Sequence, residues 1–168
     1  MKTTICLAIV CMLAGLGHAQ EVTKATAKLE PKSGSTVTGT ITFTKAGDEV
    51  QVIADVQNLK PGKHGFHIHE KGDCSAPDAA SAGGHFNPSH QHHGGPVTAE
   101  HHTGDLGNID ADASGKVHFE WKGKMSLSGA DSIIGKSVVV HEKEDDLKSD
   151  PAGNSGARIA CGVIVAGD

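Results

Sequence analysis

The chain has 168 residues, with 20 Asp and Glu against 15 Lys and Arg for a formal charge of -5, and only five aromatic residues, Phe43, Phe66, Phe86, Phe119 and Trp121. That is one domain's worth of chain, and its acidic balance argues against a nucleic-acid partner, which would need clustered Lys and Arg to neutralise phosphates. Histidine is the outlier: nine of the twelve lie between His64 and His102, a density with little value for core packing.

Residues 1–19 combine a positive start at Lys2, an apolar run from Ile5 to Leu16, and small residues Gly17 and Ala19 at the minus-three and minus-one positions of a cleavage site. The pattern predicts a secretory signal that leaves 20–168 as the mature domain. The apolar run is well short of the roughly 20 residues a spanning helix needs, so no membrane span is expected. Export would deliver the protein to the periplasm in a bacterium and outside the cell otherwise. Cys6 and Cys11 leave with the signal. Cys74 and Cys161 remain as one pair in an oxidising compartment, where a disulfide persists. Neither has a CxxC neighbour, which argues against their being soft metal ligands.

From Glu21 onward the hydrophobic period is two. Ala25, Ala27 and Leu29 alternate with polar neighbours. In Thr36–Thr44, Val37, Ile41 and Phe43 share one face, and Thr38, Thr40, Thr42 and Thr44 take the other. Val50, Val52, Ala54 and Val56 repeat the pattern, as do Val117, Phe119 and Trp121, and finally Cys161, Val163 and Val165. Turn signals at Lys45-Ala46-Gly47-Asp48, Lys60-Pro61-Gly62 and Ala113-Ser114-Gly115 separate the strands, and no stretch reads as an amphipathic helix. The expectation is an all-β antiparallel sandwich or barrel. Residues 70–104 and 142–157 interrupt it as long polar segments, and loops of that length in a small domain are usually functional.

The histidines sit at the edge of this framework. In Gly65-Phe66-His67-Ile68-His69, the alternation sends Phe66 and Ile68 to one face and both imidazoles to the other. His85, His93, His102 and Asp105 follow within one loop, and His141 ends the buried run Val138-Val139-Val140. Histidines with one carboxylate and no thiolate favour Zn(II) and Cu(II).

These residues resemble the copper/zinc superoxide dismutase family. The matching stretches are His64–Glu70, Gly84-His85-Phe86-Asn87-Pro88, His93-Gly94-Gly95-Pro96, Gly104-Asp105-Leu106-Gly107-Asn108, Leu127-Ser128-Gly129, Val139–Leu147 and Gly153–Ile164, in order through the mature chain. The resemblance implies a Greek-key, immunoglobulin-like β-sandwich or flattened barrel of about eight antiparallel strands with two long functional loops. It implies copper on His67, His69, His85 and His141, zinc on His85, His93, His102 and Asp105, and His85 bridging the two metals. Asp145 would orient one copper-ligating and one zinc-ligating histidine. Cys74–Cys161 would tie the metal loop to the last strand. Arg158 would guide the superoxide anion, with His85 also delivering a proton, and the protein would form a homodimer.

His90, His92 and His101 match no ligand position. His92 competes with His93 on spacing, and the following Gly94-Gly95-Pro96 selects His93. The three are expected on the surface, or as a tract recruiting adventitious copper or zinc. His64 is expected in a hydrogen-bonded structural role and His118 on the solvent face of a strand. The alternative to an enzyme is a dismutase-like copper or zinc carrier or storage protein. A carrier needs ligands alone, whereas a catalyst also needs the bridging His85 and Arg158. A metal-free scaffold would be expected to have lost several ligands.

Overall fold

The computed structural model describes residues 21–167; the predicted signal segment 1–19, with Cys6 and Cys11, lies outside the described residues. Eight strands carry the alternation: β1 (Lys24–Pro31), β2 (Thr38–Ala46), β3 (Glu49–Gln57), β4 (Gly62–His69), β5 (Asp105–Ala111), β6 (Val117–Gly123), β7 (Ser137–His141) and β8 (Arg158–Ala166). Every pairing is antiparallel, in the order β5-β4-β7-β8-β1-β2-β3-β6. The connections β3 to β4 and β6 to β7 each cross between the two halves of the order, as in a Greek key. β5 and β6 face each other across the remaining seam, so the sheet is a nearly closed barrel. Among the described residues, no helix is long and apolar enough to cross a membrane.

The inward positions of the strands build the core. Ile41, Phe43, Val52, Ala54, Phe66, Ile68, Ile109 and Ile164 are fully buried, each large side chain contributing about 1.5–3 kcal/mol by leaving water. Phe66 meets Phe119 edge-on with ring centroids 5.8 Å apart, an arrangement aromatic quadrupoles favour. β2 begins two residues later than its threonine pattern predicts, because the Ser35 hydroxyl accepts the Val37 N–H at 3.2 Å and turns the chain there.

Two elements differ from the sequence expectation. Asp105 opens strand β5 instead of lying inside the metal loop. The strand is hidden in the sequence because Gly107, at φ 76°, and a register shift between Gly65 and His67 break the alternation of Leu106, Ile109 and Ala111. The second is a long third connection, residues 124–136, whose Leu127 and Ile133 are buried against the core. The predicted 70–104 and 142–157 loops are present and pack over β4 and β7, with one short 3-10 turn at Ala80–Ala82.

Candidate metal centre

Strand β4 runs between β5 and β7, and its register sets His67 beside Asp105 on one side and Val139 on the other. With Phe66 and Ile68 in the core, His67 and His69 point out of the barrel, beneath the two loops. The start of the metal loop folds back on this strand: His69 and His85 form a bridge pair, and the Phe86 N–H donates to the Ile68 carbonyl at 2.8 Å. Gly104 passes so close that a Cβ there would stand 2.2 Å from the Ile68 oxygen, so only glycine fits.

The fold thereby gathers His67, His69, His85 and His141 into one buried group and His85, His93, His102 and Asp105 into another. Within each group, all the candidate ligand atoms lie within 4.8 Å of one another. His85 belongs to both. Its Nδ1 is 2.8 Å from Asp105 Oδ1 and 3.3 Å from His102 Nδ1, and its Nε2 is buried without a protein partner.

In four of the six histidines, one ring nitrogen is held by the protein. His67 Nε2–H donates to Asp145 Oδ2 at 2.8 Å, His93 Nε2–H to Asp145 Oδ1 at 2.9 Å, and His69 Nδ1–H to the Gly83 carbonyl at 2.9 Å. His141 Nδ1–H reaches the Gly156 carbonyl at 3.3 Å. The opposite nitrogens, His67 Nδ1, His69 Nε2, His85 Nε2, His93 Nδ1 and His141 Nε2, are buried with no hydrogen-bond partner. A buried polar atom left unpaired costs about 1–3 kcal/mol, and five converging on one region fit cations that accept their lone pairs. A tetrahedral zinc ion with ligands at about 2.0–2.1 Å spaces neighbouring donors about 3.3 Å apart. His85, His93 and His102 Nδ1 stand 2.8, 3.1 and 3.2 Å from Asp105 Oδ1, the spacing of groups that converge on a shared ion. The four-nitrogen group suits copper and the three-nitrogen, one-oxygen group suits zinc. The third cluster, His67, His93 and Asp145, is a hydrogen-bonded brace, since each ring spends its outward nitrogen on the carboxylate.

Asp145 is itself held. Its backbone N–H donates to Asn108 Oδ1 at 2.8 Å, Asn108 Nδ2 donates to the Asp145 carbonyl at 2.9 Å, and the Leu147 N–H donates to Asp145 Oδ1 at 2.7 Å. Asn108 lies inside a stretch that carries the family resemblance, yet nothing in the sequence alone marks it as this clamp. Gly153 completes the brace: with φ 61°, it leaves the space where a Cβ would lie 1.7 Å from Asp145 Oδ1.

Arg158 opens β8 beside the four-histidine group. Nη1 donates to the Ala79 carbonyl at 2.8 Å and Nη2 to the Gly83 carbonyl at 2.7 Å. Burial lowers its proton affinity and the Asp78 carboxylate opposes that, while guanidinium chemistry keeps it charged. Cys74 and Cys161 are bonded, with Cα atoms 5.8 Å apart. His64 is buried, with Nδ1 2.8 Å from the His141 carbonyl and Nε2 2.9 Å from that of Lys60. His90 and His92 are exposed, but His101 is half-buried, its Nδ1–H donating to the His102 carbonyl at 2.8 Å. His118 is exposed between Asp55 and Glu120.

The electrostatics of the metal-free protein predict its pH dependence. Burial pushes His67, His69, His85 and His141 below the ordinary imidazole value, His85 to about 4. The unfolded chain therefore binds more protons there, and stability falls as pH drops below about 6.5. His93 has the opposite sign. Burial alone would lower it, but the carboxylates of Asp105 and Asp145 outweigh that and raise it to about 10. Its contribution is full below about 6.5 and drains away as pH rises toward the raised value. The metal-free protein is expected to have its highest melting temperature near pH ~6.5, falling on both sides, as calorimetry across that range would measure.

Comparison with known proteins places relatives around this site. The family model for copper/zinc superoxide dismutase matches residues 37–164. An extracellular superoxide dismutase [Cu-Zn] of Caenorhabditis elegans is 44% identical over 175 residues, covering 98% of this chain and 78% of the relative. The extracellular superoxide dismutase [Cu-Zn] of Drosophila melanogaster is 47% identical over 137 residues, covering 76% and 75%. The crystal structure of a protein described as the clock protein EA4 superposes with a TM-score of 0.80 at 43% identity, covering 89% of this chain and 98% of that one.

Proposed function

The chain belongs to the copper/zinc superoxide dismutase family, and on that premise we propose which of its residues do the work. The protein is an oxidoreductase acting on superoxide, with copper and zinc as cofactors. Two superoxide anions and two protons become one dioxygen and one hydrogen peroxide. His67, His69, His85 and His141 would hold copper, and His85, His93, His102 and Asp105 would hold zinc. When bound, copper supplies one-electron redox cycling and zinc a fixed positive charge.

The protein's own part is placement, charge and protons. Arg158, fastened by two carbonyls, fixes a cation at the edge of the copper group that draws in and orients a small anion. Whenever its Nε2 is not engaged by copper, His85 would hold a proton at that atom, which faces the copper group, and pass it to reduced substrate. Asp145 orients His67 and His93 together, so that the two groups are set in a common frame. The observation that carries this reading is His85, which presents one nitrogen to each group. A carrier would have no use for that sharing, nor for an anchored cation beside it.

Dismutation by metal-loaded chain 20–168 is the test; a fully loaded protein with no rate above that of free solution would overturn the reading. Arg158→Ala is expected to lower the second-order rate constant about 10-fold and to flatten its fall with ionic strength. An unchanged rate at every salt concentration would remove Arg158 from the anion path.

The protein is secreted, in keeping with relatives named extracellular. Residues 1–19 are read as the cleaved signal and 20–168 as the working enzyme, acting outside the cell. The resemblance also supports a homodimer, which light scattering on the secreted chain would distinguish from a monomer.

A further inference from the structure

His92 belongs to neither metal group, and its ring is largely exposed, yet it is not idle. His92 Nδ1–H donates to Asp150 Oδ2 at 2.6 Å, and the other oxygen of the same carboxylate, Oδ1, accepts the His93 backbone N–H at 2.7 Å. The two partners lie on different loops, His92 on 70–104 and Asp150 on 142–157. One carboxylate thus spans a consecutive histidine pair, taking the ring of the first and the backbone of the second.

We propose that Asp150 is a positioning residue for His93, and that His92 is the latch that aims its carboxylate. The effect on His93 follows from where it is held. Asp145 fixes the far end of the ring through Nε2, and Asp150 fixes the backbone from which the ring springs. Held at both ends, the ring has one direction left for Nδ1, toward Asp105 Oδ1 at 3.1 Å. Released at the backbone, it could pivot about the Asp145 hydrogen bond. Both carboxylates come from the 142–157 loop, so that loop grips the zinc-side histidine as a unit.

The loop is built to present Asp150 rigidly. Asp146 Oδ1 accepts the N–H groups of Lys148 and Ser149 at 3.1 and 2.8 Å, and Asp146 Oδ2 accepts from Asn154 Nδ2 at 2.9 Å. The Gly153 N–H closes the turn on the Ser149 carbonyl at 2.7 Å. An exposed ion pair contributes little to stability by itself. At a metal ligand the same contact counts differently, because groups that orient ligands alter metal affinity about 10–100-fold. The doubled His92-His93 in the sequence then has a division of labour, one ring facing the metal group and the other securing the loop.

The inference rests on zinc occupying the His85, His93, His102 and Asp105 group. Its test is the rate at which fully metal-loaded protein gives up zinc to a chelator, together with the absorption spectrum of Co(II) placed at the zinc position. Asp150→Ala is expected to release zinc about 10-fold faster and to alter the Co(II) bands. Asp150→Asn keeps an oxygen for the His93 N–H, and its amide N–H can donate to His92 Nδ1 once His92 carries its proton on Nε2, so it is expected to restore the wild-type rate. Asp150→Glu displaces both oxygens by one methylene; it is expected to release zinc faster than Asp150→Asn, and it carries the test if Asp150→Ala does not accumulate. Wild-type release rates and Co(II) spectra in Asp150→Ala and Asp150→Glu would overturn the proposal while leaving the zinc assignment standing. A wild-type protein that gives no tetrahedral Co(II) spectrum would overturn the zinc assignment and the proposal together.

Discussion

Replacing His85 by alanine is expected to abolish dismutation and to lower the occupancy of both metal positions at once. Of the six histidines in the two groups, only His85 belongs to both. Its Nδ1 stands among Asp105 and His102 at 2.8 and 3.3 Å, while its Nε2 is one of the buried, unpartnered nitrogens facing His67, His69 and His141. Truncation removes a donor from each group and leaves a void between them, so the affinity loss should exceed the roughly 100-fold upper range for residues that merely orient ligands. His141→Ala supplies the contrast, since His141 belongs to the copper group alone. That variant should lose copper and activity while retaining zinc. Elemental analysis of both variants beside their dismutation rates checks this. A His85→Ala protein that kept both metals and its rate would refute the shared-ligand reading, and one that lost only copper would confine His85 to a single group.

Much of this centre is legible in the sequence because its chemistry is written in side chains. The alternation around His67 and His69 predicts two imidazoles on the face opposite Phe66 and Ile68, and the family resemblance supplies His85, His93, His102, Asp105 and His141; the structure brings all of these together. What sequence could not reveal is carried by backbone atoms and by breaks in periodicity. The carbonyls of Ala79 and Gly83, which hold Arg158 and His69, have no sequence signature. Strand β5 escapes a period-two reading because Gly107 inserts a left-handed step between Leu106 and Ile109. Asn108 and Asp150 look like ordinary polar residues until the fold sets them against Asp145 and His93. Their roles depend on contacts across 37 and 57 positions of chain, distances over which local pattern carries no information.

Breaking the Cys74–Cys161 bond by Cys74→Ser is expected to lower the stability of the metal-free protein by about 4–5 kcal/mol, the chain-entropy value for a closed loop of this length. The bond joins residues 87 positions apart, so its loss frees a large part of the unfolded chain. Cys74 is the better residue to change because it is half-buried, whereas Cys161 is fully buried with Ala79, Ala82 and Val139, and a hydroxyl there would add a desolvation cost of its own. Denaturant titration of both proteins without metal measures the difference, and a loss below about 1 kcal/mol would show that the unfolded chain is not restrained as the chain-entropy account requires. The consequence should also reach the active site. Ala79 and Gly83, whose carbonyls anchor Arg158, follow Cys74 on the same segment, and the Gly83 carbonyl also accepts from His69. Untethered, that segment can carry both acceptors away, leaving the guanidinium free to swing and one ring of the copper group unoriented. The metal-loaded Cys74→Ser protein should therefore lose rate and, like Arg158→Ala, show a weaker dependence on ionic strength. If its rate fell while its salt dependence stayed wild-type, the disulfide would be acting through stability alone, and the link from Cys74 through the loop carbonyls to the anion path would have to be abandoned.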